Sequence, residues 1–231
     1  MFYHLDDPLT FCEQIKKIMS NNSTWCLQMT YLGSMLDQNI YDNIVHEHVA
    51  YYSLQSLEFL LEKVGLYVHD AKIVKSYGGS LRVFIKTEKP KKFSESYKNI
   101  AQKELSEGVN TVEALSSFNN RISLIKIITQ DLIKYILNKK STIWAFGAST
   151  KGNMICQFNN IDFNQIPVVL DNNEKKIGLM MTGSEIPVVE EAKFLDNLPE
   201  YLLMLPYYYL EFFTKLIRKR LVKGQHIHLL V

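Results

Sequence analysis

The sequence predicts an α/β protein in two halves, the second built on a mainly parallel sheet. Two observations carry this. From Thr142 onward, short β-branched and aromatic runs alternate with helix-length segments, the rhythm of βαβ units. Before Lys89, helical periodicity also alternates with strand-like runs, but two of those runs meet at a tight glycine turn, which marks an antiparallel pair. The 231 residues, 47% hydrophobic and 22% charged, suffice for two cores of ordinary globular composition.

In the first half, Asp6-Asp7-Pro8 supplies an N-cap and a first-turn proline, and Phe11, Ile15 and Ile18 follow at helical spacing as far as Met19. Asn21-Asn-Ser23 makes a turn before a strand over Trp25–Met29. Ser53 caps a helix with Leu54, Leu57, Leu60 and Leu61 on one face, stopped by Gly65. Tyr67–Ser76 and Leu81–Thr87 are strands of a hairpin at a sheet edge, joined around Tyr77-Gly-Gly-Ser80. Lys89–Ser96, polar and basic, is read as a linker. The apolar series Leu115, Phe118, Ile122, Ile125, Leu132 and Ile136 predicts one long connecting helix. The boundaries expected are 1–90, a linker and helix over 91–140, and 141–231.

In the second half, strands are expected at Thr142–Phe146, Ile166–Leu170, Tyr201–Leu205 and His226–Val231. A helix follows Gly147–Gly152 as far as Phe158, and another spans Tyr207 to Val222.

The formal net charge of +2 gives no field that would draw nucleic acid or an acidic membrane. No stretch approaches the ~20 apolar residues that span a bilayer, and Met1–Pro8 has no basic region leading into an apolar run. Cys12, Cys26 and Cys156 are odd in number and far apart, which predicts reduced, buried thiols and a cytoplasmic setting. No CxxC pair exists, so no zinc site is visible.

Two segments carry chemistry. Gly147-Ala-Ser-Thr-Lys-Gly152 lies between a strand and a helix, where free backbone N–H groups favour an anion. Ser149 and Thr150 add hydroxyls, and Lys151 adds a positive charge. A phosphate site and a plain tight turn both fit this pattern, because position 149 breaks GxGxxG and Asn153 breaks the P-loop. Asp171, at the end of the next strand, stands where dinucleotide folds place a ribose-binding acid. The second segment is His46-Glu47-His48. It fits a satisfied histidine pair before a helix, part of a metal site, or acid–base chemistry at neutral pH. His4, His69, His226 and His228 read as structural.

Taken in order, Phe2-Tyr-His-Leu-Asp-Asp-Pro8, Trp25–Met29, Asp42-Asn-Ile-Val-His-Glu-His48, Tyr52-Ser-Leu54 and Gly78-Gly-Ser-Leu-Arg82 resemble the sugar C-methyltransferases. The second half is similar to that family's C-terminal domain through Phe146–Gly152, Asp171–Lys175, Gly178, Gly183-Ser-Glu-Ile-Pro187 and Pro199–Pro206. The resemblance implies the C-terminal portion of a class I methyltransferase sheet followed by a Rossmann-like domain. It implies a nucleotide-linked, usually dTDP-linked, keto-deoxysugar substrate. A base removes the proton beside the ketone, and the enolate takes a methyl group from S-adenosylmethionine. His48 matches the position proposed as base, and Glu47 the neighbouring carboxylate. Gly79, Ser80 and Arg82 match a segment near the sugar. Gly147, Ser149, Thr150, Lys151 and Asp171 are carried over as nucleotide-binding.

Val45, Tyr77 and Thr30-Tyr31 depart from the family's usual aromatic, histidine and Pro-Tyr. Complete members also carry a cysteine-rich zinc domain and a glycine-rich donor turn that precede the segments matched here. The resemblance therefore implies a partial methyltransferase sheet with an unpaired strand edge and an exposed apolar surface, its donor site supplied by a separate polypeptide or lost. A sugar-nucleotide-binding module without turnover and a dinucleotide-dependent oxidoreductase are the competing readings.

Overall fold

The structure, a computed structural model, describes residues 2–76, 78–192, 198–221 and 226–230. The chain forms two compact units, Met1–Ile122 and Ser123–Val231.

The first unit opens with a 3-10 turn at Phe2–His4 and α1 at Pro8–Ile18. Asp7 caps α1, its carboxylate accepting from Thr10 N at 3.0 Å, as the Asp-Pro pair predicts. There follow β1 (Trp25–Thr30), α2 (Leu32–Gln38), a 3-10 turn at Tyr41–Asn43, α3 (Leu54–Lys63), β2 (Tyr67–Val74), β3 (Ser80–Lys86) and α4 (Glu95–Glu107). The sheet order is β1-β3-β2, with β3 antiparallel to both neighbours. The hairpin lies at one edge of the sheet as expected, with β2 outermost and β3 between it and β1. One sheet face is dry, where Val68, Ala71, Leu81, Val83 and Ile85 pack with Leu54, Leu57 and Leu61 of α3 and with Ile100 of α4.

One expectation for this half is corrected. The stretch read as a linker leads directly into α4, capped by Ser94 and ended by Gly108 in the left-handed conformation. On the second sheet face Cys26, Gln28 and Lys72 are exposed. Arg82 there donates to Gln28 Oε1 from Nε and Nη2 at 2.9 and 2.7 Å. The residue joining β2 to β3, Tyr77, lies outside the described residues.

The long helix is α5 (Val112–Asn138). Phe118 and Ile122 are buried in its early turns and Ile133 and Ile136 in its late ones, whereas Leu115 and Leu132 are exposed.

The second unit holds β4 (Ile143–Phe146), α6 (Thr150–Phe158), β5 (Val169–Asp171), β6 (Val188–Glu190), β7 (Tyr201–Met204), a 3-10 turn at Tyr207–Tyr209, α7 (Leu210–Arg220) and β8 (His228–Leu230). All five strands run parallel in the order β6-β5-β4-β7-β8, a Rossmann-like sheet as expected. β5 begins three residues later than the apolar run suggests, because Pro167 has no N–H to give a ladder. β6 was not expected from the sequence; three residues are too few for a periodic signal. His226 precedes β8, and the end of the predicted last strand at Val231 lies outside the described residues, as does Val222 at the end of the predicted helix.

Candidate functional site

In the first unit, the buried turn Tyr41–Asn43 leads into a loop that is pinned back onto the chain's start. Val49 and Ala50 N–H donate to Tyr3 O at 3.1 and 3.3 Å, and His48 N–H donates to Val45 O at 2.9 Å. These bonds set the His48 ring edge-on to Tyr3, with centroids 4.5 Å apart. His4 lies 5.2 Å from His48 on another side and Tyr51 6.3 Å away. The Tyr51 hydroxyl donates to Asn43 O at 3.3 Å, and burial raises its pKa.

His4 was not identified from the sequence. Its Nε2 is buried and has no hydrogen-bond partner among the described residues. Nothing in a linear reading joins positions 4 and 48; the Tyr3 carbonyl does. Glu47 points elsewhere: its carboxylate stands 4.0 Å from His46 Nε2, and both side chains are exposed.

The Gly78-Gly79 turn adjoins α2. Gly79 has φ +116°, and a Cβ there would stand 2.6 Å from Ser34 Oγ, so the turn needs glycine for both conformation and space. Ser80 is buried and donates to Ser76 O at 3.1 Å, while Arg82 is engaged by Gln28 on the open sheet face. Near this turn, Tyr31, Ser34, Asp37, Gln38, Asn99 and Lys103 help line a cavity of about 600 Å³.

In the second unit, β4 is flanked by β5 on one side and β7 on the other, so the connections diverge at its C-terminal end. Parallel α/β sheets bind ligands at such a point. The Gly147 turn leaves from here. Gly147 has φ +91°, and a Cβ on Gly152 would stand 2.8 Å from Gly147 O, so α6 starts hard against the turn. Ser149 is the cap of α6, its hydroxyl accepting from Gly152 N at 3.0 Å.

Asp171 braces this turn. Its Oδ2 accepts from Ala148 N at 2.9 Å and its Oδ1 from Asn173 N at 2.8 Å. Lys176 holds the same residue through its carbonyl, donating to Ala148 O at 2.6 Å, and lies 3.5 Å from Asp171 Oδ2.

A cleft of about 220 Å³ opens beside α6, lined by Ser149, Thr150, Asn153 and Lys176 with Leu179, Met180 and Thr182 opposite. Lys151 is not among its lining residues: the ammonium is buried, 4.4 Å above the Tyr208 ring. Lys176 and Asn153 were missed from the sequence. Two adjacent lysines follow Asp171, and the turn bond from Lys176 N to Asn173 O at 2.8 Å decides which one faces inward.

Among the described residues, no helix is long and apolar enough to cross a membrane.

Residues 75–229 match a family model described as the C-methyltransferase C-terminal domain. A curated relative, the C-methyltransferase NovU of Streptomyces niveus, is 25% identical over 209 residues, which is 90% of this chain and 50% of that protein. The chain spans about half the length of the relative it matches. With two thirds of its length, both strands of the β4–β5 pair and the whole Gly147 turn inside the matched region, this chain belongs to the C-methyltransferase C-terminal domain family.

Proposed function

We propose that this chain carries the acceptor side of an S-adenosylmethionine-dependent C-methyltransferase acting on a nucleotide-linked keto-deoxysugar. One observation carries the reading: in a chain of this family, His48 is held by backbone bonds and aromatic contacts rather than left on a free loop. An imidazole so fixed suits proton removal from the carbon beside a ketone. The C–H bond breaks, its electron pair moves into the enolate, and the proton passes to the ring. His4, 5.2 Å from His48, brings a second imidazole to the same place. The enolate oxygen needs a donor, a role assigned to His4.

The nucleotide part is assigned to the second unit, where Ser149 and Thr150 line the cleft at the start of α6 and Asp171 keeps the turn in shape. Gly79, Ser80 and Arg82 are assigned to the sugar side of the first unit.

The residues present do not form a complete place for the methyl donor. β1 runs through Tyr31 straight into α2, and the space over Gly33 is filled by the Tyr31 ring, 2.5 Å from where a Cβ would stand. The glycine turn that follows a strand in the first unit, Gly78-Gly79, closes the β2–β3 hairpin instead of opening a helix, and Gly79 N–H donates to Ser76 O at 2.9 Å. We therefore assign the donor to residues outside this chain, whether on the same polypeptide or a separate one.

Calorimetry with the chain alone tests the reading. A dTDP-linked keto-deoxysugar is expected to bind saturably, and S-adenosylmethionine is expected to give no saturable heat. Tight S-adenosylmethionine binding would overturn the assignment of the donor site. Tight NADH binding in place of the sugar nucleotide would favour an oxidoreductase.

A further inference from the structure

We propose that Lys176 is the cation that holds the anionic group of the ligand in the cleft beside α6. This rests on the nucleotide-binding reading of the second unit and names the residue that the sequence motif does not contain.

Three observations lead to it. First, Lys176 lines the cleft and keeps 38% of its side chain exposed, whereas the Lys151 ammonium is buried against Tyr208. Second, an ammonium has three hydrogens. Ala148 O takes one at 2.6 Å and Asp171 faces another at 3.5 Å, so a third remains for a ligand without breaking the clasp on the turn. Third, no acidic side chain is among the described residues that line this cleft, and the nearby Asp171 carboxylate is engaged by Ala148 N, Asn173 N and Lys176. The cavity of the first unit is lined by Asp37 and Glu107 with Lys103. An anion therefore meets less repulsion in the cleft beside α6.

The rest of the lining fits a phosphate or pyrophosphate ester. Thr150 supplies a hydroxyl at the start of α6, where backbone N–H groups carry positive partial charge. The Asn153 side-chain oxygen is buried and without a hydrogen-bond partner among the described residues. Asn153 also lines the cleft, and its side-chain amide carries NH₂ donors. Leu179 and Met180, both largely exposed, form an apolar wall for the ring that such an ester carries.

The clasp also explains why a lysine is needed rather than any cation nearby. Its bond to Ala148 O ties the 172–187 arm, one wall of the cleft, to the glycine turn that forms the other. Charge and shape of the site thus depend on one side chain.

The test is calorimetric titration of the whole chain with inorganic pyrophosphate and, separately, with dTDP. Lys176→Gln keeps a donor for Ala148 O and removes the charge. It is expected to keep the melting temperature while weakening both ligands about tenfold or more, the scale of one lost charge-assisted contact. Lys176→Arg is expected to retain part of the affinity, and Lys175→Gln, on the exposed neighbour, to bind within about twofold of the parent. If the parent binds and a folded Lys176→Gln variant binds equally well, the Lys176 assignment is wrong and the nucleotide reading stands. If the parent binds neither ligand, both fall.

Discussion

His48 is placed by two kinds of local force. Backbone bonds from Val49 and Ala50 to Tyr3 O fix the loop, and the edge of one aromatic ring against another fixes the imidazole. Tyr3→Ala removes the ring but not the carbonyl. We expect it to lower turnover of an assembled enzyme well below the parent with a modest effect on nucleotide-sugar affinity, and steady-state kinetics with calorimetry would separate the two. The cysteines give a simpler check on the same scale. Burial raises the Cys12 thiol to about 11 and the Cys156 thiol to about 12, and Cys26 is exposed. In native protein at pH 8, iodoacetamide should label Cys26 and spare the other two. Labelling of Cys156 at the same rate as Cys26, read by mass spectrometry, would mean that the second unit's core opens easily. The expectation of three buried thiols is corrected at Cys26, which sits on the open sheet face of the first unit.

At the level of elements, a carboxylate from α4 organises the first unit. Buried Glu104 accepts from the Tyr31 hydroxyl at 2.8 Å and from Leu54 N and Gln55 N at 2.6 and 3.0 Å. It thereby serves orphan N–H groups at the start of α3. Glu104→Ala strands those donors and is expected to cost about 3 kcal/mol in urea unfolding of the chain; a loss within about 0.5 kcal/mol would show that water replaces the carboxylate.

A second carboxylate behaves oppositely. Burial raises the Glu58 pKa above 4.5, only partly countered by the bond from the Tyr97 hydroxyl at 2.7 Å. The folded state therefore favours protonated Glu58, and its charged form is a cost that grows as pH rises past 4.5. Glu58→Gln should raise the melting temperature at pH 7, with the difference fading as pH falls below that value. An equal difference at both pH values would assign the effect to packing alone.

Elements were legible where a local rule was strong. Asp7 and Ser53 announce α1 and α3 by their caps, and the alternation of strand and helix announces the parallel sheet. α4 was hidden because it is polar, with Ile100 its main buried apolar residue, and because Lys89–Lys92 before it read as solvated chain. Its cap at Ser94 and its stop at Gly108 were available signals. The central place of β3 was not, since strand order is decided by packing that no single segment encodes.

For the whole molecule, the candidate site was legible in part for a related reason. The Gly147 turn and His48 sit in contiguous motifs, so the sequence displays them. His4 and Lys176 are placed by contacts made on folding, the first beside a loop 44 positions away and the second at a carbonyl of the turn. The motif residues Lys151 and Glu47 turn toward Tyr208 and His46, directions that no spacing rule contains. The family's C-terminal domain is matched over residues 75–229, β4 and its neighbours form a parallel sheet, and the first unit holds a fixed imidazole. The central claim is that this imidazole takes a proton from the substrate before any methyl group arrives. Proton exchange needs no donor, so it can be followed without the portion of the enzyme outside this chain. The chain is incubated in D₂O with a dTDP-linked keto-deoxysugar and the sugar protons are followed by NMR. Deuterium should appear at the carbon beside the ketone in the parent and not in His48→Ala, with dTDP affinity retained in both. Equal exchange in the two proteins, or none above the protein-free rate in either, would contradict the account.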